Sequence, residues 1–473
     1  VRWDWRTYDR SLNHNETGSG SGKIEVTRVN IEENSNKEPV SYVLPPGLDR
    51  SQEANQVQLL QNNEQALSVK ITDLDPRDAR AVYKNTNYDL RRFKRMQMFA
   101  HLEELIDGKS LEYGDFTVFI RLGSDYHNNY YEYEIPMKVT PAGKYSSNST
   151  TDRNIVWPKD NMFDFSLEEL KNVKLERNKE KRKVNSDVSY TKLYWRYDKE
   201  HPANRVSVMG NPSLAEVNVI MLGVRNNSRE SKSGEIWFNE LRLTDFDEKG
   251  GWAAQGNVSI ALSDIVTINV SGRKETAGFG ALDQSLLERR SDDYTLYNVA
   301  INADLGRFLP EKAKGSIPFY YSYSNEKITP EYDPFDTDVR LKESLKSVTT
   351  KAARDSIRSL AEEVHTTKSV NFSNVKVNIQ SKTPMPYDPA NFSFGYSYNE
   401  TEINNPTTVY DVNKDFQANI GYSYSPIVKT WEPFSNLKGN TGAKKFLKSL
   451  GFNYLPNNIT ANSVMTRFYN ESL

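Results

Sequence analysis

From residue 258 onward, large apolar side chains alternate with small or polar ones over long stretches. Val258, Ile260 and Leu262 share one face of a strand; Ser263-Asp264 turns the chain; Val266, Ile268 and Val270 return. Tyr297, Val299, Ile301, Ala303 and Leu305 form the next strand. Three later stretches nearly repeat one another: Ile317-Pro-Phe-Tyr-Tyr-Ser-Tyr-Ser324, Asn391-Phe-Ser-Phe-Gly-Tyr-Ser-Tyr398 and Asn419-Ile-Gly-Tyr-Ser-Tyr-Ser425. With Val375, Val377 and Ile379, and a last stretch around Phe452 and Tyr454, and with the third repeat extended back to make Phe416 to Tyr424, they make about eight strands, each near the roughly 9–11 residues that cross a membrane when tilted.

The alternation suits an antiparallel transmembrane β-barrel, apolar side to lipid, polar side to a watery lumen, tyrosines at the interface. On this reading Val258, Ile260, Val266, Ile268, Val299, Ile301, Phe319, Tyr321, Phe394, Tyr396, Ile420 and Tyr422 face lipid. Ser393, Gly395, Ser397, Gln417, Asn419 and Gly421 face the lumen, where they offer hydration without strong adhesion.

Before Asp245-Phe-Asp-Glu-Lys-Gly-Gly251 the pattern is different, with shorter alternating strands and more charge. Leu67 to Ile71, Met96 to Leu102, Phe116 to Leu122, Tyr131 to Val139, Val217 to Met221 and Trp237 to Leu243 are separated by turn sequences such as Asp73-Leu-Asp-Pro76 and Gly210-Asn-Pro212. That spacing predicts an antiparallel, jelly-roll-like β-sandwich. Three segments result: 1–52, barrel strands or linker; 53–248, the sandwich with one helix at about 165–182; 249–473, the barrel segment, with a helix at about 339–365 in its longest loop. Ser166 with Glu169 reads as a capping box and Phe165 as a staple onto Leu170, while the charged run Lys174 to Lys183 reads as a solvated helix end. In the second helix Leu341, Leu345, Val348, Ala352, Leu360 and Val364 recur at helical steps.

Connections at 263–264, 306–315 and 381–390 read as short, and those at 275–293, 325–369 and 399–413 as long. Such alternation is expected when one side of a membrane carries tight turns and the other carries loops. The stretch 425–449 breaks the rule. With short turns in the periplasm, the sandwich is expected outside the cell.

Composition narrows the chemistry. A hydrophobic fraction of 37% and a mean hydropathy of -0.72 leave no room for membrane helices, but barrel strands are apolar only at alternate positions. Basic and acidic residues balance at 61 and 63, which gives no electrostatic case for nucleic acid. The absence of cysteine removes disulfides, thiolate chemistry and most zinc sites. The opening Val1-Arg-Trp-Asp-Trp5, without a Met or an apolar stretch, is read as the start of an internal segment.

No residue pattern in the chain points to catalysis. His14, His101, His127, His201 and His365 lack metal-ligand spacing, and no Gly-x-Ser-x-Gly elbow is present. Gly18-Ser-Gly-Ser-Gly-Lys23 lacks the glycine spacing of a phosphate loop and is better read as a hairpin tip. Asp73, Asp75 and Asp78 lack the glycine and terminal glutamate of a calcium loop, and turn roles suit them better. Glu240 with Asp245 or Asp247 is the one conceivable acid pair. The expectation is a conduit or scaffold rather than an enzyme, with no cofactor and no metal.

Several segments together resemble a known family: Val43-Leu-Pro-Pro-Gly-Leu-Asp-Arg50, Asn63-Glu-Gln65, Asp89-Leu-Arg-Arg-Phe-Lys-Arg-Met96, Phe116-Thr-Val-Phe-Ile-Arg-Leu-Gly-Ser-Asp125, Asn129-Tyr-Tyr-Glu-Tyr133, Gly210-Asn-Pro-Ser213, and above all Ile236-Trp-Phe-Asn-Glu-Leu-Arg-Leu243 leading to Gly251-Trp-Ala-Ala254. The chain is similar to the SprA (Sov) family of gliding-motility and cell-surface proteins, the outer-membrane translocon of the type IX secretion system in Bacteroidota. The resemblance implies a segment of a very large barrel that passes folded cargo to the cell surface. It also implies cargo with C-terminal sorting domains, a partner outer-membrane barrel, a periplasmic plug and contact with membrane lipid, and no catalytic residues. Two other readings stand beside it: a cell-surface carbohydrate-binding sandwich, which calls for aromatics grouped on one sandwich face and Tyr396, Tyr398, Tyr422 and Tyr424 in a core, and a nutrient-uptake barrel. A secreted glycosidase comes last.

Overall fold

The computed structural model describes residues 5–12, 20, 22–50, 62–106, 108–285, 288–348, 350–379, 381–439 and 441–473. His14, Gly18, Ser19 and Ser21 lie outside them. The chain forms two compact units, Val1–Asp247 with Asp336–Val339, and Glu248–Phe335 with Arg340–Leu473.

The first unit holds strands β1 (Arg6–Tyr8), β2 (Lys23–Asn30), β3 (Gln65–Leu74), β4 (Ala79–Tyr88), β5 (Phe93–Glu104), β6 (Phe116–Gly123), β7 (Tyr130–Pro136), β8 (Phe163–Ser166), β9 (Tyr194–Tyr197), β10 (Arg205–Met209), β11 (Val217–Asn226) and β12 (Lys232–Phe246). One sheet runs β1-β4-β11-β6-β7-β10-β9 and the other β2-β3-β12-β5-β8. Strand alternation builds the core between them. Leu67, Val69, Ile71, Met96, Met98 and Leu102 come from the second sheet, and Val118, Ile120, Leu122, Tyr131, Tyr133 and Ile135 from the first. The two described strands of the segment expected as barrel strands or linker pair within this sandwich, β1 with β4 and β2 with β3.

Helix α1 spans Thr150–Val156 and α2 spans Leu167–Lys181. Ser166 caps α2 by accepting the Glu168 N–H at 3.2 Å. The expected reciprocal half of the box is absent, because Glu169 is ion-paired with Arg196 instead. Phe165 stacks on Tyr133, ring centroids 4.0 Å apart and planes 10° off parallel. The charged run does not begin as a solvated end either. Lys174 and Arg177 are buried and grip the Gly210–Pro212 turn, Lys174 donating to the Pro212 carbonyl at 2.8 Å and Arg177 to that of Gly210.

The second unit holds β13 (Ala253–Leu262), β14 (Val266–Glu275), β15 (Asp292–Asp304), β16 (Gly315–Ser316), β17 (Pro318–Pro330), β18 (Tyr332–Asp333), β20 (Glu363–Val377), β21 (Phe392–Asn405), β22 (Thr408–Tyr424) and β23 (Ile459–Ser472), with β19 (Asp336–Arg340) lying mostly in the first. Its sheet is an antiparallel meander, β13-β14-β15-β17-β20-β21-β22-β23, with β16 beside β20. The meander does not close on itself; β13 and β23 are its two edges. No described helix is long and apolar enough to cross a membrane.

Several boundaries differ from expectation. β17 and β20 run on to Pro330 and back to Glu363, so their connection is 331–362 rather than 325–369. It carries two helices, α3 (Leu341–Ser347) and α4 (Lys351–Ala361), instead of one; the backbone is extended at Val348, and Thr350 caps the second helix. The expected long loop 399–413 is a tight turn, since β21 and β22 pair as far as Asn405 and Thr408. The last strand is Ile459–Ser472; Phe452 instead forms an isolated bridge with Trp431. Tight and long connections are therefore mixed at both ends of the sheet. The alternation that oriented the sandwich outside the cell is gone.

Candidate functional site

Directly paired residues of antiparallel strands project to the same side, so register assigns every side chain to a face. One row crosses the meander as Ile260, Ile268, Ile301, Tyr321, Val370, Tyr398 and Phe416. The next reads Leu262, Val266, Ala303, Phe319, Phe372, Tyr396 and Ala418. Val258, Val270 and Val299 continue the same side, as do Phe394 with Ile420 and Phe392 with Tyr422. All the residues read as lipid-facing thus lie on one side of the sheet.

Ser393, Gly395, Ser397, Gln417, Asn419 and Gly421 lie together on the other, paired as Ser393–Gly421, Gly395–Asn419 and Ser397–Gln417. The same side carries polar cross-strand ladders elsewhere in the sheet. Asn298 bridges Ser271 at 3.3 Å and Ser324 at 2.5 Å, and Ser369 donates to Asn399 at 2.7 Å. At Gly395 a β-carbon would stand 2.0 Å from the Asn419 side-chain oxygen, so glycine leaves that amide its place.

The apolar side is uncovered. Val258 is 58% exposed, Phe394 51% and Ile420 51%. An exposed apolar surface spanning so many strands calls for an apolar environment. Tyr396 is 41% exposed and Tyr398, Tyr422 and Tyr424 are half-buried, so none sits in a core as the carbohydrate-binding reading requires. The band is bounded at one edge by a row of Lys368, Glu400 and Lys414, Lys368 reaching Glu400 at 3.3 Å. From Phe392 to Tyr398 the strand rises about 20 Å, comparable to the roughly 25 Å apolar belt of outer-membrane barrels. Beside a register shift between Phe372 and Val375, the residues Val375, Val377, Pro389, Phe392 and Phe394 line a hollow of 350 Å³.

The polar groups that sequence reading missed are in the sandwich. Buried Glu132 on β7 meets Arg121 at 2.6 Å and Arg225 at 3.3 Å, with Arg205 at 3.7 Å. Burial opposes its ionisation, but these guanidinium groups prevail and hold its pKa down to about 2. A second cluster joins α2 to β19: Lys174 lies 2.9 Å from Asp338 and also contacts Asp336, and Tyr131 donates to Asp338. Burial, helped by the neighbouring Asp338 and opposed by Lys174, raises the Asp336 carboxyl to about 6. Burial works against Asp338 too, yet Lys174 and the Tyr131 hydroxyl keep it below the usual range.

The most specific sequence block has a structural explanation. Asn239 on β12 donates to Tyr42 Oη at 3.2 Å and to Glu64, and Tyr42 donates to Glu64 at 2.6 Å. Burial above all raises the Glu64 carboxyl, against the hydrogen bonds that it accepts from Tyr42 and Asn239. Trp237 stacks on His101, centroids 3.9 Å apart. Asp78 is engaged by Arg80 and by Ser11 at 2.5 Å. Among the described residues no group of three or more His, Cys, Asp or Glu is placed to hold a metal.

A family model described as motility related/secretion protein, SprA_N, matches residues 1–345. The chain belongs to the SprA family. The match takes in the whole sandwich of this SprA-family chain and the meander through β17; β20 to β23 follow beyond it. No curated protein matches the chain. A motility and secretion family agrees with a cell-envelope setting.

Proposed function

We propose that this SprA-family chain forms an arc of the wall of an outer-membrane translocon of the type IX secretion system, through which folded cargo reaches the cell surface and on which gliding motility depends. The observation that carries the proposal is the register of the meander, which runs apolar rows across one side and Ser, Asn and Gly across the other. Lipid satisfies the first side, and a hydrated lumen satisfies the second. The wall performs no catalysis; it offers neutral polar groups to a passing surface. Cargo with C-terminal sorting domains, a partner barrel and a periplasmic plug are the partners this role requires.

Cysteine scanning tests it directly, because the chain has no cysteine of its own. In the assembled protein, Y396C and I420C are expected to react with a lipid-soluble maleimide, and S393C and S397C with a water-soluble one. Gly395 is avoided because a side chain there meets Asn419. Equal labelling of both sets by either probe overturns the wall.

A carbohydrate-binding reading has one observation in its favour: Trp195 and Tyr197 on β9 are 47% and 58% exposed, with ring centroids 5.5 Å apart. Glycan-array binding abolished by W195A would favour it.

A further inference from the structure

The 425–458 connection between β22 and β23 is too long for a turn and has no core of its own. It folds back through one bridge, Trp431 and Phe452 exchanging backbone hydrogen bonds of 3.0 and 2.9 Å with rings 6.4 Å apart. Its large apolar side chains point outward: Trp431 is 60% exposed, Phe446 65%, and Phe452 and Tyr454 are also uncovered. Among them stand Lys429, Lys438, Lys444, Lys445 and Lys448, against a single carboxylate, Glu432.

The charge belongs to one end of the sheet. The connections at that end (263–265, 305–317, 378–391 and 425–458) carry nine Lys and Arg against four Asp and Glu. Those at the opposite end (276–291, 331–362 and 406–407) carry eight against nine. At the first end the strand tyrosines also bond across to the neighbouring connection, Tyr422 to the Pro386 carbonyl at 2.9 Å and Tyr424 to that of Pro384 at 3.2 Å.

Exposed aromatics interleaved with lysines, at the margin of an apolar band, have the chemistry of a membrane-interface segment: rings settle at headgroup depth and ammonium groups pair with phosphates. We infer that the 425–458 connection lies on the bilayer surface and binds anionic phospholipid headgroups, anchoring this end of the wall. The inference rests on the wall reading above. The net positive charge selects lipid over an uncharged protein partner, which would leave the lysines unmatched.

The full chain is reconstituted into vesicles of phosphatidylcholine, with or without one-third phosphatidylglycerol (about 33%), carrying an environment-sensitive fluorophore at F446C or at V258C. The probe at 446 is expected to be quenched by headgroup-region spin-labelled lipid at least about two-fold more strongly with phosphatidylglycerol, and the triple variant K444E/K445E/K448E to lose that difference. The probe at 258 is expected to report lipid in both vesicles. If 446 remains in water while 258 reports lipid, the anchor is overturned and the wall stands. If both report water, the wall falls and the anchor with it. Equal quenching at 446 in both vesicle types, unmoved by the charge variant, overturns the anionic headgroup as the ligand.

Discussion

The Phe119 ring lies over Gly223, its cross-strand partner, so closely that a β-carbon at 223 would stand 2.1 Å from the ring. Arg121 and Arg225 then cover the ring, with guanidinium carbons 5.0 and 4.9 Å from its centroid. Glycine is what admits this stack. Gly223→Ala is expected to lower sandwich stability by about 1–3 kcal/mol, read from the urea midpoint of tryptophan fluorescence. Gly256→Ala, with nothing within 4 Å of its β-carbon, is expected to change stability by less than about 0.5 kcal/mol.

Glu132 is expected to control acid stability. Its folded-state pKa of about 2 lies below the ordinary 4.5, so its contribution is complete above about pH 4.5 and drains as pH falls toward 2. Glu132→Gln leaves buried guanidinium groups underpaired and is expected to cost about 3–5 kcal/mol at neutral pH. Unfolding midpoints from pH 7 to 3 check both effects; the variant should show a flatter acid limb.

Asp336 acts with the opposite sign. Its pKa is raised to about 6, so the folded state keeps a proton that the unfolded chain releases, and the associated stability is lost as pH rises through about 6. Asp336→Asn is expected to remove that loss, roughly 1–3 kcal/mol, between pH 5 and 7. Asp338→Asn, which removes one of the two carboxylates that Lys174 contacts and the charged acceptor of Tyr131, is expected to destabilise at every pH in that range. Denaturant midpoints at pH 5 and pH 7 separate the two.

On the meander, faces should tolerate charge unequally. Ile301→Arg is expected to cost roughly 2–4 kcal/mol of membrane stability, whereas Ala300→Arg, one residue away on the polar side, is tolerated. The yield of heat-modifiable, membrane-integrated protein distinguishes them.

The meander was legible where apolar and polar residues alternate and illegible beyond that stretch. Past the apolar band, Glu400, Thr401 and Glu402 are polar on both faces, and the strands continue on backbone pairing to Lys414, Asn413 and Val412; the same stretch reads as a loop in sequence. β20 begins in the same way, with Val364, His365 and Thr366 pairing across to β17 and β21. In the sandwich, Lys174 lay inside a charge run, and its partners Asp336 and Asp338 follow far along the chain, a relation no local pattern encodes. Asn239 stood out by resemblance alone; its reason, the bonds to Tyr42 and Glu64, needed the fold.

Each long strand between β13 and β23 pairs with the long strand before it and the one after it in the chain, so the sheet grows by hairpins. Such a sheet is modular. At about 4.8 Å between strands and a tilt near 40°, each added hairpin lengthens the perimeter by roughly 12 Å. Eight strands curled shut would leave an interior that side chains fill. The same local pairing repeated along a longer perimeter opens a lumen in proportion to hairpin count, so pore size becomes a matter of duplication rather than of redesigning any strand. A conduit for folded domains and one for small solutes could then differ in copy number while sharing a single rule of assembly.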